Sequence, residues 1–246
     1  YHDMALGKAE AWEGRSKVAE GFQYTWTHPP LSKLAMAGTI KIFGSRPFGW
    51  RMAPLIFGTG IIFVIGLLGK ELFNKKVGVI ATLLASYDCL LFVQSRTGLN
   101  DAFLVFFILL ATYFFVRKNW WLTGINTGLA IATKWSALYL LPLFGLVQVY
   151  EIFPLFFSNP KEFWQLLLKR TLKSFFFLVG IAGIVYLIIY IPFFTTGHTW
   201  SQFVELQKQM WWYHTRLTAT HPFASRWWSW PIIKRPIWYY TQSFNG

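Results

Sequence analysis

Six apolar runs, each about one helix long and set off from the next by a small charged cluster or a single charge, decide what this chain can fold into. They are Met52 to Gly69, Val77 to Val93, Ala102 to Val116, Trp120 to Thr133, Trp135 to Tyr150 and Ser174 to Phe194. A bilayer core offers no water to an open backbone, so such runs cross it as helices of about 20 residues, with a lower limit near 17. The third, fourth and fifth runs are short by that measure. They span only where flanking Trp, Lys and Arg side chains extend the helix into the interface. Trp120 to Tyr150 as one helix is the alternative. It would be roughly 46 Å long at about 1.5 Å per residue, against hydrocarbon of about 30 Å, and would strand Lys134 near the midplane. The sequence therefore predicts two helices broken at Lys134. The fold class is all-α, a polytopic membrane helical bundle.

Composition supports this. Charged residues make up only 13% of the chain and hydrophobic ones 54%, where a soluble domain carries about 25% charge. The net charge of +13 does not point to nucleic acid, because the basic residues flank apolar runs instead of forming one face. One set of short connections holds Lys70, Lys75, Lys76, Arg117, Lys118, Lys161, Lys169, Arg170 and Lys173; the short connections on the opposite side hold only Arg96 and Lys134. The positive-inside bias puts the larger set in the cytoplasm. Three parts follow: residues 1–51 as an outer loop with interfacial helices, 52–194 as a six-span membrane region, and 195–246 as an outer segment with an interfacial helix and an aromatic cluster. Cys89 is the single cysteine, which excludes an intrachain disulfide and a cysteine-built zinc site. The first residues do not read as a signal peptide. The chain starts without Met and stops without a terminating feature, so it is expected to be an internal piece of a longer protein.

The outer segments carry their own helix signals. Asp3 suits the cap of a helix running through Trp12, with Gly14 as its stop. Pro29 and Pro30 suit a first turn, where a missing N–H costs nothing, and Leu31, Leu34, Ala35 and Ile42 recur near helical spacing. Thr199-x-x-Gln202 reads as a capping box, followed by a stripe of Trp200, Phe203, Val204, Gln207, Trp211 and His214. Helices of this kind lie in the interface plane. Thr-His-Pro occurs twice in these segments, in WTHPPLSKL (Trp26–Leu34) and TATHPFASRWWSWP (Thr218–Pro231), and the topology puts both on the outer side.

Polar residues that could carry chemistry gather on that side. Asp88 interrupts an apolar run, where an ionisable group is functional by default, and Arg96 and Asp101 bracket a short outer loop. A guanidinium grips two phosphate oxygens in a fork, which makes Arg96 a candidate phosphate clamp, and Lys134 is a second cation at the same level. Each also reads as an interfacial anchor or structural ion pair. His28 and Lys33 belong to the first outer segment. His214, His221, Arg226, Trp227 and Trp228 belong to the last, where the tryptophans fit an interfacial belt as well as a sugar-binding surface. Together these are the candidate site-shaping residues. No histidine pair has metal-binding helical spacing, so no metal is assigned.

Five pieces resemble the protein O-mannosyltransferase family, membrane glycosyltransferases of GT-C type: THPPLSKL (Thr27–Leu34), FGSRPFGWRM (Phe43–Met52), the Asp88…Ser95-Arg96…Asp101 pattern, GLAIATKWSALY (Gly128–Tyr139) and WWYHTRLTATHPFASRWWSWP (Trp211–Pro231). They stand in family order over nearly the whole chain and are similar to the bacterial-type members. The resemblance implies a GT-C bundle in a bacterial plasma membrane with its active face outward. It implies transfer of mannose from polyprenyl-phosphate-mannose to Ser or Thr hydroxyls of translocated proteins, with inversion at the anomeric carbon. Arg96 and Lys134 would bind the donor phosphate. The lipid-linked sugar is a substrate, so no cofactor is expected, and dimerisation stays open. The family's paired Asp-Glu motif, which carries the base, precedes a stretch like YHDMALGKA and is absent from this sequence. No catalytic residue is therefore assigned, and the isolated chain is expected to be inactive. Ser32 stands where the family usually has glycine, with little effect expected. The alternatives are another GT-C enzyme acting on a lipid or glycan, or a non-catalytic membrane protein such as a transporter. A transporter would favour midplane charges in corresponding halves, which the one-sided clustering of polar residues disfavours.

Overall fold

The computed structural model describes residues 2–12, 27–216, 218 and 224–234, and among them there is no strand. The helices are α1 (His2–Ala5), α2 (Leu31–Phe43), α3 (Pro47–Leu72), α4 (Lys75–Ser86), α5 (Cys89–Gln94), α6 (Asp101–Val116), α7 (Trp120–Ile131), α8 (Leu140–Ile152), α9 (Leu155–Ser158), α10 (Pro160–Ser174), α11 (Ala182–Ile189), α12 (Ile191–Thr195) and α13 (Trp200–Arg216). Three rods are long and apolar enough to cross a membrane: Pro47–Leu72, Trp135–Ile152 and Pro160–Thr195, with Asp101–Val116 as a shorter apolar helix. The chain is an all-α, multi-pass membrane protein.

Several boundaries differ from the sequence expectation, each for a local reason. Pro47 starts α3 at its first turn, so this helix begins inside the segment read as outer loop. The run from Val77 to Val93 is two helices. α4 stops at Ser86, and Asp88 caps α5 by accepting a hydrogen bond from the Leu91 amide at 2.6 Å. The chain does break at Lys134, whose backbone is extended (φ −159°, ψ 134°), before a 3-10 turn over Trp135–Tyr139 leads into α8. The last rod is 36 residues long. That is roughly 54 Å at about 1.5 Å per residue, too long for hydrocarbon of about 30 Å, so its basic first turns lie beyond the apolar layer. Within it, Phe175–Ile181 is π-helical.

The first outer helix is also shorter than Asp3 and Trp12 suggested. α1 stops at Ala5, Gly7 turns the chain with φ +69°, and Ala9–Trp12 is a separate 3-10 turn. Gly14 lies outside the described residues. The capping box is present: the Thr199 amide donates to Gln202 Oε1 (2.8 Å) and the Gln202 amide to Thr199 Oγ1 (3.3 Å). The buried stripe of α13, however, is Phe203, Leu206 and Met210, while Trp200 and Trp211 are exposed. The stripe turns because Tyr190, Phe193 and Trp12 supply a pocket for the smaller apolar side chains, leaving the indoles to the outer layer.

Helix packing depends on close backbone approach. A Cβ at Gly128 of α7 would stand 2.7 Å from the Ala182 carbonyl oxygen and 2.8 Å from Val185 Cβ. Small residues at such crossings let helices gain dispersion contacts where water exclusion contributes little. The charges sort to the two ends. At one, Glu71 pairs with Arg117 (3.2 Å) and Glu151 pairs with both Lys118 and Arg170 (2.7 Å each). At the other lie Asp101, Lys134, His28 and His214. α3, α6, α7 and α8 each send one terminus to either end. Gly128→Leu is expected to lower the unfolding free energy by about 1–3 kcal/mol through overpacking. Gly183→Leu, where an added Cβ meets nothing within 4 Å, should leave the detergent melting midpoint near wild type. Equal midpoints for the two variants would refute the close-approach account.

Candidate functional site

The site at the histidine end is built on a helix start. Pro29 and Pro30 have no amide hydrogen, so Leu31 offers the first donor of α2. It donates to the Ala132 carbonyl at 3.0 Å, at the end of α7. One residue on, the Ser32 hydroxyl is fully buried and donates to Asn100 Oδ1 at 2.6 Å. Ser32 therefore has a specific bond where glycine would have none. The two bonds join the Thr-His-Pro segment to the Lys134 break and to the loop before α6. At the head of α6, Asp101 pairs with Lys134 Nζ at 3.1 Å, both side chains part-exposed.

α13 closes the other side. The His214 ring stacks on His28 with centroids 5.2 Å apart and planes at 24°. His214 Nε2 lies 2.8 Å from the Thr27 carbonyl. A carbonyl only accepts, so this nitrogen carries the proton. Trp135 Nε1 donates to Tyr186 Oη (3.2 Å), which donates to Gln207 Oε1 (2.6 Å). A cavity of about 400 Å³ opens among Lys134, Trp135, Ser136, Tyr139, Trp211 and His214. An apolar cavity of about 370 Å³ between α8 and α11 shares its Trp135 and Leu138 walls.

The electrostatics of this corner follow from burial and crowding of cations. The His28 pKa is lowered to about 4, first by burial and then by Lys134, His214 and Lys33, with Asp101 opposing. His28 Nδ1 is buried without a hydrogen-bond partner. Burial lowers Lys33 to about 8.

The remaining candidates fall elsewhere. Arg96 is exposed and lies over the Phe92 ring at 5.1 Å. It lines a different cavity, of about 450 Å³, with Arg51, Phe48, Met52, Leu55, Phe92 and Ser95. Asp88 is exposed and occupied as the cap of α5. Arg226, Trp227 and Trp228 sit on an exposed 3-10 turn, apart from the three cavities above. His221 and the second Thr-His-Pro, residues 220–222, lie outside the described residues. Sequence reasoning assigned no role to Asn100, Ser136, Tyr139 or Tyr186. Asn100 and Tyr186 are recruited by hydrogen bonds to Ser32 and Trp135, tens of residues away in sequence, while Ser136 and Tyr139, inside the quoted GLAIATKWSALY, border the cavity only once the chain is folded. Among the described residues no cluster of three metal-ligating side chains occurs.

Residues 21–198 match the family model of dolichyl-phosphate-mannose-protein mannosyltransferases, and 199–245 match the C-terminal four-span region of protein O-mannosyltransferases. The chain belongs to this family. The polyprenol-phosphate-mannose--protein mannosyltransferase of Corynebacterium glutamicum is 36% identical over 50% of this chain and 30% of its own length. Proteins of the same name from Mycolicibacterium smegmatis and Mycobacterium tuberculosis are 28% identical over 86% of this chain and 52% of theirs. The chain thus spans about half the length, or less, of the curated relatives it matches. No solved structure matches it. The family model covers the whole Thr27-to-Lys134 assembly, while His214 falls in the second matched region.

His28 sets a pH dependence. Its folded pKa of about 4 is below an unfolded value near 6.5, so the unfolded chain binds the extra proton between them. Stability then rises with pH across that window: it is lost as pH falls from about 6.5 through about 4, and His28 contributes no slope above 6.5. Wild type minus His28→Gln melting midpoints should slope across pH 4–6.5 and be flat from 7 to 8. A flat difference throughout would mean that His28 is not held neutral by its surroundings.

Proposed function

We propose that this chain forms the membrane-embedded core of a mannosyltransferase that moves mannose from a polyprenyl-phosphate-mannose donor to Ser or Thr hydroxyls of proteins on the outer face of a bacterial plasma membrane. One observation carries the reading: four stretches that resemble the family separately converge on one corner. Thr27–Lys33, Asn100–Asp101, Lys134–Tyr139 and Trp211–His214 meet through the Ser32–Asn100, Asp101–Lys134 and Thr27–His214 contacts. The names of the relatives support the donor and the protein acceptor. The sorting of basic residues to the opposite end supports an outward site.

In the reaction, the acceptor oxygen bonds to the mannose anomeric carbon on the face opposite the phosphate. The bond from that carbon to the phosphate oxygen breaks, and its electron pair leaves with the phosphate. Inversion follows from this geometry. The hydroxyl proton passes to a carboxylate base, which the resemblance places in the Asp-Glu pair absent from this sequence. Asp101 is engaged by Lys134. The stacked His28 ring positions the outer segment. Arg96 holds the departing phosphate, whose charge it stabilises more effectively than water does. Lys134 faces the sugar and acceptor side, its charge shared with Asp101.

The test uses a protein that includes the upstream acidic pair, supplied with polyprenyl-phosphate-mannose and a Ser/Thr peptide. Arg96→Ala is expected to cut transfer at least about 100-fold, the scale of a lost anion-stabilising donor. Labelling in a Cys89→Ser background reports insertion: Ser136→Cys and Ser201→Cys should react with an impermeant thiol reagent from one side and Ser158→Cys from the other. All three positions are exposed, whereas Ser32 is too buried to label. Mannose delivered to a lipid and not to the peptide would sink the protein-acceptor reading.

A further inference from the structure

The end of the molecule opposite the histidines has no part in the reaction, yet α10 brings a mixed basic and apolar surface to it. Trp164, Leu168, Thr171 and Phe175 follow at i, i+4, i+7 and i+11, so they share one helix face, and all four are exposed. Their depth follows from the rod they belong to, which runs to Thr195. About 20 residues cross hydrocarbon of about 30 Å. Counting back from Thr195 puts Phe176 at the edge of that layer and Thr171 among the headgroups.

Beside this face a notch of about 160 Å³ opens between α8 and α10, with Gly145, Gln148, Leu167, Arg170, Thr171 and Ser174 among its walls. Gln148 and Ser174 satisfy each other: Gln148 Nε2 donates to Ser174 Oγ (2.8 Å), and that hydroxyl donates to Gln148 Oε1 (3.0 Å). Arg170 uses only Nη1, which donates to the Gln148 carbonyl (2.8 Å) and to Glu151 Oε2 (2.7 Å). Among the described residues its Nη2 and Nε have no partner, and neither has the Thr171 hydroxyl. Other exposed helical hydroxyls turn back to the carbonyl four residues before, as Thr59 does to Leu55 (2.9 Å) and Thr215 to Trp211 (2.7 Å). Charge is also left over here. Glu151 is shared by Arg170 and Lys118, so the three groups carry one surplus positive charge.

We propose that the notch between α8 and α10 binds the headgroup phosphate of an anionic glycerophospholipid, with Arg170 and Thr171 as its donors. A guanidinium grips phosphate oxygens in a fork, and Arg170 has two nitrogens left to do so. The Thr171 hydroxyl gives its hydrogen to a third contact. The acyl chains run past Phe175 and over Gly145, where an added Cβ would meet nothing within 4 Å. Free phosphate offers the same oxygens but leaves exposed Leu168 and Phe175 uncovered. A zwitterionic lipid brings a second cation to a place with a cation surplus, where Glu151 is already engaged twice. Positive-inside bias makes this end cytoplasmic, and anionic lipids of that leaflet attract basic segments. The site does not depend on the mannosyltransferase reading.

The experiment follows the melting midpoint of the full chain in a nonionic detergent, titrated with phosphatidylglycerol, phosphatidylcholine or inorganic phosphate. A ligand that binds only the folded chain raises the midpoint. Phosphatidylglycerol should raise it to saturation, and the other two, at equal concentration, should not. Thr171→Val removes the hydroxyl at nearly constant shape and should raise the half-saturating phosphatidylglycerol concentration about tenfold, the size of one hydrogen bond to a charged group. Arg170→Lys keeps a charge for Glu151 but loses the fork, and should weaken binding by a similar factor. Thr59→Val, which removes an exposed hydroxyl already bonded to Leu55, should leave it unchanged. The midpoint of each variant without lipid checks folding. Unchanged half-saturation in a folded Thr171→Val or Arg170→Lys protein overturns the proposal, as does the absence of a saturable rise with phosphatidylglycerol. An equal rise with phosphatidylcholine would mean chain packing without headgroup recognition, and a rise with inorganic phosphate a soluble-anion site; either overturns it. So does a midpoint that climbs with protein concentration and not with lipid, which would make a second copy of the chain the occupant.

Discussion

The hydrogen bond from the Leu31 amide to the Ala132 carbonyl, at 3.0 Å, joins two backbone groups that helix geometry leaves over. The first amides of a helix and the last carbonyls have no partner inside it, and an unpaired one away from water is costly. Two prolines ensure that Leu31 is the first residue of α2 with an N–H to give. The break before Lys134 ends α7 where its carbonyls face outward. Each terminus meets part of the other's requirement, so the outer segment cannot drift from the bundle. Ser32 to Asn100, Asp101 to Lys134 and His28 to His214 all depend on that placement. His28 is held neutral in the corner by burial and by the cations that gather there.

Much of the fold was legible because hydrocarbon is a strict solvent. Charges cannot rest in it, so the apolar runs and the clusters between them marked the helices, the Lys134 break and the two ends. What was not legible came from local competition. Asp88 read as a charge inside a span, but a carboxylate can instead take an amide hydrogen and start a new helix, which is how Val77 to Val93 became α4 and α5. The stripe of α13 was misjudged because indoles count as apolar on any periodicity scale. The pocket made by Trp12, Tyr190 and Phe193 takes Phe203, Leu206 and Met210 instead. For the site, residue types were readable and pairings were not. Nothing in the sequence around Ser32 says that its hydroxyl meets Asn100, or that Lys134 has Asp101 while Arg96 has no acid among the described residues.

That last difference changes how the two cations should be regarded. From sequence they stood at one level and resembled two grips on one phosphate. In the folded chain they line separate cavities with opposite surroundings. Lys134 is held by Asp101 beside Trp135, Ser136, Tyr139 and Trp211, a mixture of aromatic faces and polar tips suited to a sugar ring or a polypeptide hydroxyl. Arg96 lies with Arg51 against apolar walls, suited to a phosphate on a hydrocarbon chain. A glycosyl donor of this class has both a charged lipid end and a neutral sugar end. A protein that separates an uncompensated cationic site from a neutralised aromatic one can address each end by its own chemistry.

The division also explains why the neutralised site holds the histidines. A stacked His28–His214 pair could not sit beside an unpaired lysine without deepening the repulsion that already lowers His28. Asp101 opposes that repulsion and holds Lys134. The stacked pair is then free to serve as a join between the outer segment and α13. The separation of Arg96 from Lys134 thus leaves the Asp101–Lys134 pair alone beside the histidine join.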